Sequence, residues 1–238
     1  MDTRIIQFRD MVQSSDNIVF FGGAGVSTES GIPDFRSVDG LYRQKYRYPP
    51  EEILSATFFR KHPDEFYEFC RDKLFVEDVK PNRAHIRLAE LESEGKLKAV
   101  ITQNIDGLHQ AAGSRKVLEL HGTTHRFYCM KCGRDMPYEQ VKSGRGTPRC
   151  ECGGIVRPDV VLYEEGLNSS VISEAISFIS SCDVLIVGGT SLVVYPAAGL
   201  INYYRGKKLV LINKQPTPYD SYATLAINEN IGEVFAQV

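Results

Sequence analysis

Four cysteines within a short stretch of the chain have the type and spacing of metal ligands. Cys129 and Cys132 form a CxxC pair, Cys150 and Cys152 form a CxC pair, and 17 residues separate the two pairs. Four thiolates match the tetrahedral coordination of zinc, and a complete set of four leaves no open position for catalysis. We therefore predict one structural zinc ion (Zn2+), with redox-active or unrelated thiols as the alternative.

The segment around these cysteines is basic. Between His125 and Pro158 the chain has seven Lys or Arg and three Asp or Glu, which is typical of zinc ribbons that bind nucleic acid. The whole chain has 28 Lys or Arg, 30 Asp or Glu and a formal net charge of -2, so it has no general attraction for nucleic acid or an anionic membrane. We expect neither a membrane nor a nucleic-acid partner. A non-enzymatic nucleic-acid binder stays open as an alternative.

A glycine-rich stretch at residues 22–28 directly follows an apolar run. The backbone N–H groups of such a turn, followed by the positive end of a helix, suit a pyrophosphate. The stretch departs from the dinucleotide fingerprint, because Thr28 stands where Gly or Ala closes that pattern. A tight turn without a ligand is therefore the alternative. The next loop ends in Phe35 and Arg36, an aromatic ring and a cation that suit a planar, charged ligand.

Polar side chains follow a second apolar run. Gln103, Asn104 and Asp106 stand at its end, where amides and a carboxylate are unusual choices for packing and indicate a ligand. His121 lies just before the cysteine segment, and imidazole is the side chain most easily tuned to act as a base near neutral pH. For the remaining histidines we predict structural roles; they are His62, His85, His109 and His125.

Continuous apolar runs at residues 18–21, 99–102, 184–187 and 209–212 predict strands that are buried on both faces, as in a parallel sheet. Between them, residues 82–93 and 169–180 have the apolar periodicity of helices. This alternation predicts an open α/β sheet. Ligands of such sheets bind at the carboxyl ends of the strands, which is where all the polar and glycine-rich clusters fall. We therefore expect one site.

Two segments interrupt the α/β pattern. Residues 38–80 are rich in aromatic and charged side chains and predict an insertion of helices and loop, and residues 124–159 predict a small zinc-binding module. The predicted sheet domain then consists of residues 1–37, 81–123 and 160–238.

The cysteines and the first ten residues indicate the cellular compartment of the protein. Cys70 and Cys182 lie in apolar segments and predict buried thiols, and no framework of disulfides is indicated. Charged residues in every turn of the first ten positions argue against a signal peptide, and the apolar runs are too short to span a bilayer. We expect a cytoplasmic protein.

Taken in order, these motifs resemble the sirtuin family of NAD-dependent protein deacylases, in its bacterial form. The resemblance rests on residues 23–36 (GAGVSTESGIPDFR), 102–106 (TQNID), 121–122 (HG), the cysteine quartet, 156–161 (VRPDVV), 189–192 (GTSL) and Asn213. It implies a Rossmann-like NAD-binding domain with a small inserted zinc-binding domain. The substrate peptide would lie in the cleft between the two.

The resemblance also implies roles for individual residues. Ala24, Thr28, Phe35 and Arg36 would line the NAD pocket. At the nicotinamide end, Gln103 and Asn104 would hold the ribose, and Ile105 and Asp106 would bind the carboxamide. Thr190 and Ser191 would meet phosphate and ribose, Asn213 would meet the adenosine ribose, and Ile231 would meet the adenine edge. Asn104 and His121 would be catalytic, and His121 would also contact NAD. The peptide would pair as an added strand with Val160 and Val161.

The implied reaction consumes NAD as a co-substrate. The acyl oxygen attacks the nicotinamide ribose, nicotinamide leaves, and His121 acts as general base on a ribose hydroxyl, so that lysine and an O-acyl-ADP-ribose are released. Free nicotinamide would inhibit by re-entering its pocket. The resemblance also permits a mono-ADP-ribosyltransferase, which remains an alternative.

Two departures from the family pattern concern the substrate. Family members that remove acidic acyl groups have a Tyr followed three positions later by an Arg, whereas here Tyr67 is followed by Cys70, with Arg71 one position later. We therefore expect a neutral acyl group such as acetyl. Glu164 stands where the family more often has Gly, which leaves the shape of the substrate tunnel open.

Overall fold

The computed structural model describes residues 2–35, 40, 46–76 and 78–238. Its α-helices are α1 (Thr3–Gln13), α2 (Pro50–Ile53), α3 (Ala56–Lys61), α4 (Pro63–Lys73), α5 (Arg83–Ser93), α6 (Leu108–Ala111), α7 (Tyr138–Ser143), α8 (Ser169–Ser181) and α9 (Ile231–Phe235). Its strands are β1 (Ile18–Gly22), β2 (Leu97–Thr102), β3 (Val117–Glu119), β4 (Gly122–Cys129), β5 (Asp135–Met136), β6 (Val156–Val160), β7 (Val184–Gly188), β8 (Lys208–Ile212) and β9 (Leu225–Ile227).

A parallel sheet of six strands in the order β3-β2-β1-β7-β8-β9 forms the larger part of the fold. The order reverses between β1 and β7, where Gly22 pairs with Gly188 at the carboxyl ends of both strands. Such a reversal is the point at which open α/β sheets bind ligands. The predicted α/β class and the predicted strands β1, β2, β7 and β8 are confirmed.

Successive residues of β1 serve opposite faces of the sheet. Phe20 packs with α1, α5 and α9 in one apolar cluster, and Phe21 packs with α8 in another. Both helices predicted from periodicity are present, and the side chains of Asn82 and Asn168 accept hydrogen bonds from the first backbone N–H groups of α5 and α8. The sheet is therefore covered on both faces, as the continuous apolar runs predict.

A second, antiparallel sheet has the order β5-β4-β6. Its apolar side chains share one cluster with α2, α3 and α4, which we call the second core. Phe75 and Phe127, for example, meet edge to face with ring centroids 5.5 Å apart. The division into a sheet domain, a helical insertion and a zinc module stays a prediction, but the two interrupting segments share one core.

One local prediction is wrong. The glycine-rich turn leads not into an α-helix but into two single 3₁₀ turns, Ala24–Val26 and Thr28–Ser30, because Gly31 adopts φ 91 and Pro33 follows. Within the described ranges, every helix is too short or too polar to cross a membrane.

Candidate functional site

A cleft of about 860 Å³ opens at the carboxyl ends of β1, β2, β7 and β8. Its lining includes nearly all the residues predicted to hold NAD, namely Ala24, Thr28, Phe35, Gln103, Asn104, Ile105, His121, Thr190, Ser191, Asn213 and Ile231. Asp106 is not among the lining residues, and Arg36 lies outside the described residues. The structure thus gathers into one cavity side chains from distant parts of the chain.

The glycine-rich turn packs directly on the loop after β7. The Gly25 N–H donates to the Gly189 carbonyl at 2.8 Å. A Cβ on Gly25 would lie 2.8 Å from the Gly189 backbone, and a Cβ on Gly189, whose φ is +59, would lie 2.3 Å from the Val26 nitrogen. Only glycine allows the two loops to approach this closely, which explains the glycine-rich composition without a helix.

His121 has the hydrogen bonding of a general base. Its Nδ1 lies 2.9 Å from the Gln103 carbonyl. Because a carbonyl can only accept, Nδ1 carries the proton and Nε2 keeps its lone pair. Burial lowers the pKa of His121 below its ordinary value, and the Gln103 hydrogen bond opposes that effect only in part. The imidazole is therefore neutral and ready to accept a proton at neutral pH.

Asn104 is buried and fixed at both ends. Its backbone N–H donates to the Thr102 hydroxyl at 3.0 Å, and its Nδ2 donates to the Ser27 hydroxyl at 3.1 Å. Ser27 in turn donates to the Asp106 carboxylate at 2.6 Å, and the Leu108 N–H donates to the same carboxylate at 2.9 Å. Asp106 therefore lies behind Asn104 with both oxygens engaged.

Ser27 was missed as a site residue. It lies inside the glycine-rich stretch at residues 22–28, for which the sequence predicts only a turn. Asn82 was likewise predicted only as part of a helix, yet its Nδ2 also donates to the Val26 carbonyl at 2.7 Å and to Ser30 at 3.0 Å, which holds the turn in place. An asparagine that begins a helix directly after a proline is the signal that could have identified it.

The end of the cleft beside Asn213 contains an unsatisfied polar atom. The Asn213 Oδ1 accepts from the Thr190 N–H at 2.8 Å. The Asn213 Nδ2 is buried and has no hydrogen-bond partner within the described part of the chain. Unsatisfied buried donors are rare. A ribose hydroxyl is a suitable acceptor, so this end of the cleft fits the nucleotide that the motifs predict.

The loop between β2 and α6 is clamped from the direction of the zinc module. The Thr124 hydroxyl donates to the Ile105 carbonyl at 2.8 Å, and the His125 Nε2 lies 2.9 Å from the Asp106 carbonyl. A Cβ on Gly107 would lie 2.7 Å from the His125 ring. His125 thus has the structural role predicted for it.

The other predicted structural histidines behave differently from one another. His62 is partly exposed. His85 and His109 are fully buried, with ring centroids 4.7 Å apart. Burial lowers the pKa of His85 to about 4 and that of His109 to about 3. Both are neutral at physiological pH.

The four predicted zinc ligands come together. Their sulfur atoms all lie within 4.8 Å of one another, with Cys129 to Cys152 at 3.5 Å and Cys132 to Cys150 at 3.7 Å. Tetrahedral coordination at a Zn–S distance of about 2.3 Å requires about 3.8 Å between sulfurs. The cluster therefore fits zinc, as predicted, and Gly154 is needed beside it because a Cβ there would lie 2.6 Å from the Cys129 sulfur.

Cations of the zinc module are partly neutralised by carboxylates. Arg126 lies 3.0 Å from Asp159, Arg134 lies 2.6 Å from Glu151, and Arg157 lies 2.7 Å from Glu165. The module thus offers less free positive charge than the sequence count indicates, which disfavours the nucleic-acid alternative.

The edge of the second sheet faces the cleft. β6 is the outer strand of that sheet, and residues 160–165 line the cavity. The Val161 N–H donates to the His121 carbonyl at 2.9 Å, and the Val160 carbonyl accepts from Arg157 at 2.8 Å. The segment is therefore held from the β4 side and from Arg157.

The side chains that bear on acyl preference point away from this edge. The buried Tyr67 hydroxyl donates to the Val156 carbonyl at 2.7 Å, and Arg71 donates to the Val141 and Gly146 carbonyls. Neither lines the cleft, and Cys70 is buried as predicted, as is Cys182. In the described part of the lining, the basic side chains are His121 and Lys214.

Comparison with known proteins gives a consistent result. The sequence profile of the Sir2 family matches residues 23–196. A protein of Clostridium acetobutylicum named NAD-dependent protein deacetylase is 59% identical over 239 residues, which cover 99% of this chain and 98% of that protein.

Solved structures agree over the same length. A complex named Sir2-p53 peptide-NAD+ has a TM-score of 0.88 and 42% sequence identity, covering 100% of this chain and 97% of that one. A Sir2 variant with a deacetylated p53 peptide and 3'-O-acetyl ADP ribose has a TM-score of 0.91 and 41% identity, covering 98% of this chain and 96% of the other. Both similarities extend through the cleft and the cysteine cluster.

Proposed function

The chain belongs to the Sir2 family, and we propose that it is an NAD-dependent protein deacetylase. It transfers the acetyl group of acetyl-lysine to ADP-ribose and releases nicotinamide and O-acetyl-ADP-ribose. The observation that carries this proposal is the neutral His121, whose Nδ1 is engaged by the Gln103 carbonyl in a cleft that ends at the open edge of β6.

The residues assigned to NAD fit a nucleotide that lies along the carboxyl ends of the strands. When bound, NAD supplies an electrophilic ribose carbon with nicotinamide as its leaving group. Ala24, Thr28 and Phe35 line its pocket, and Gln103 and Asn104 hold the nicotinamide ribose. Ile105 and Asp106 bind the carboxamide, Thr190 and Ser191 meet phosphate and ribose, Asn213 binds the adenosine ribose through Nδ2, and Ile231 meets the adenine edge. The resemblance assigns Arg36, which lies outside the described residues, to the same pocket.

The assignment of Asp106 needs one refinement. Its carboxylate already accepts from Ser27 and Leu108, so its effect on the carboxamide is exerted mainly by keeping Asn104 and the loop in position. Asn104 and His121 then act at the centre of the cleft. His121 Nε2 accepts a proton from a ribose hydroxyl, and catalysis otherwise consists of positioning.

The peptide substrate binds by strand addition to Val160 and Val161. An outer strand offers unpaired backbone groups to another chain, and β6 is such a strand beside the cleft. The acyl group is neutral, because the described lining contains no Arg, its Lys214 follows β8, and His121 is uncharged. Nicotinamide released in the reaction inhibits by rebinding beside Phe35.

The six cysteines form no disulfide, and four of them make up the cluster that fits zinc, which supports action in a reducing compartment, the cytoplasm. Cell fractionation tests this part of the proposal. A pool of the protein confined to the periplasm or the cell exterior would contradict it.

The function is tested by incubating the zinc-loaded protein with NAD and an acetyl-lysine peptide and analysing the products by mass spectrometry. We expect deacetylated peptide, nicotinamide and O-acetyl-ADP-ribose in equal amounts. ADP-ribosylated protein without O-acetyl-ADP-ribose would instead show a mono-ADP-ribosyltransferase. DNA binding that falls with salt and ignores NAD, without any turnover, would show a nucleic-acid binder.

A further inference from the structure

The turn that follows β6 contains a residue in an unusual backbone conformation. Glu164 has a φ of +75, in the left-handed region that favours glycine and carries an energetic cost for other residues. Such a conformation persists only where surrounding contacts hold it.

Those contacts come from the beginning of α3. One carboxylate oxygen of Glu164 accepts from the Thr57 N–H at 2.9 Å and from the Thr57 hydroxyl at 2.7 Å. These hydrogen bonds lower the pKa of Glu164 below its ordinary value, so the group is ionised at neutral pH. The side chain is thus directed at the helical insertion.

The backbone next to Glu164 is joined to the same insertion. The Tyr163 N–H donates to the Leu54 carbonyl and the Ala56 N–H donates to the Tyr163 carbonyl, both at 3.0 Å. The Leu162 N–H donates to the Glu165 carboxylate at 2.9 Å, and the Leu162 carbonyl accepts from the Glu165 N–H at 3.1 Å. Because the backbone groups of Leu162 and Tyr163 are engaged, the free edge that begins at β6 ends at Val161. The Glu164–Thr57 contact lies in the turn beyond this end and fixes that turn on the insertion.

We propose that the Glu164–Thr57 contact is a positioning contact for the peptide substrate, which holds Val160 and Val161 in the extended shape that an added strand requires. This inference rests on the proposed function and on strand addition. A preformed edge saves the peptide the cost of ordering the turn, so the contact acts on peptide affinity. Arg60 donates to the Thr57 hydroxyl at 3.3 Å, so its positive charge balances the negative charge of Glu164. The contact therefore acts through geometry.

The test is a double-mutant cycle of Glu164→Gly and Thr57→Val, with steady-state kinetics for an acetyl-lysine peptide and for NAD. Glu164→Gly should raise the peptide KM about fivefold, the effect of losing a hydrogen bond to a charged group at an exposed site. Thr57→Val removes the hydroxyl donor but keeps the Thr57 N–H, so its rise in KM should be smaller. The double variant should raise the KM no further than Glu164→Gly alone, because both changes act on the same contact. The KM for NAD and kcat at saturating peptide should stay at the parent values.

Two further variants separate positioning from general stability. Glu164→Gln keeps an oxygen for Thr57 and should restore most of the peptide affinity. Thr147→Val removes a similar contact, in which the Thr147 hydroxyl donates to Asp64 at 2.5 Å away from the cleft, and should leave the peptide KM unchanged. The melting temperature of each variant is measured alongside.

An unchanged peptide KM in both single variants, or an equal rise in Thr147→Val, would overturn the inference. A wild-type protein without deacetylation would instead contradict the proposed function. In that case isothermal calorimetry with the same peptide still tests whether the Glu164–Thr57 contact affects peptide affinity, because the measurement requires no turnover. Additive effects in the double variant would show that the two residues act separately.

Discussion

The six-stranded sheet is buried under helices on both faces. The three-stranded sheet instead shares its core with α2, α3 and α4, and the cluster of four cysteines lies at its end. The first has enough apolar side chains to hold its strands together. The second relies on a short run of strands, an aromatic cluster and the ligands of a metal ion. The neutral base His121 follows β3 of the first sheet, while the edge for the peptide belongs to the second.

This division teaches that the two substrates depend on different forces. Residues assigned to NAD follow β1, β2, β7 and β8, so their positions depend on apolar packing. Residues assigned to the peptide follow β6, so their positions depend on the zinc module. The two halves of the site can therefore be perturbed separately.

Loss of zinc should have the largest effect. Cys129→Ala, or removal of zinc by a chelator, should unfold the second core and abolish deacetylation, because metal affinity is folding energy for such a module. NAD affinity should fall far less, since the parallel sheet persists. Hydrogen exchange measured by mass spectrometry should show exposure of residues 122–162 with protection of β1 and β7. A zinc-free variant with full activity and an unchanged melting temperature would refute the distinction.

The base on the sheet side gives the next largest effect. His121→Ala should lower kcat by about 10²–10⁴, the usual contribution of a positioned proton acceptor. Zinc content, melting temperature and NAD affinity should stay unchanged. Because burial lowers the pKa of His121, wild-type activity should be lost on the acid side only below about pH 6.5. Deacetylation by the variant at the parent rate would show that another group takes the proton.

A smaller effect is expected from the carboxylate behind Asn104. Asp106→Asn should raise the KM for NAD and the nicotinamide concentration for half inhibition by about tenfold, since one hydrogen bond to a charged group is lost. Asp183→Asn is a control, because this carboxylate accepts from Ser15 at 3.3 Å, remote from the cleft. Unchanged inhibition by nicotinamide would assign the carboxamide to other residues.

The buried histidine pair should make the sheet side sensitive to acid. His85 and His109 bind protons in the unfolded chain below about pH 6.5, but in the folded protein their pKa values are lowered to about 4 and about 3. Their neutral burial therefore costs no stability above pH 6.5, and the free energy of unfolding falls as the pH drops below that value. His109→Phe should make the fall in the free energy of unfolding smaller, because one of the two buried histidines is removed. The melting temperature should then shift less between pH 7 and pH 5 than in the parent.

The control for this measurement is the partly exposed His62. His62→Gln should leave the pH dependence of the melting temperature as in the parent. Equal curves for His109→Phe and the parent would show that the acid sensitivity arises elsewhere.

The sequence predicted the parallel sheet well because its central strands are continuous apolar runs. It missed β3 and β9, which are three residues long each, too short for any periodicity to show. The zinc ligands were found from spacing alone, because thiolate chemistry needs little beyond four cysteines close in the chain. The roles of individual site residues came from the family resemblance, because the spacing of residues in the sequence does not reveal them.

Other features depend on tertiary contacts that no local pattern encodes. The close packing of the glycine-rich stretch on the loop that follows β7 depends on both loops. The engagement of Asp106 by Ser27 joins two motifs that lie 79 positions apart. The shared core of the helical insertion and the zinc module is likewise invisible until the chain is folded.

The placement of the second core has a consequence for the order in which the chain acquires structure during synthesis. Its parts, from α2 to β6, all leave the ribosome before β7 does. The second core can therefore close while β1 still lacks its neighbour β7, to which it pairs along its whole length. The smaller, metal-dependent half can be complete first, and the larger sheet must wait for the last third of the chain.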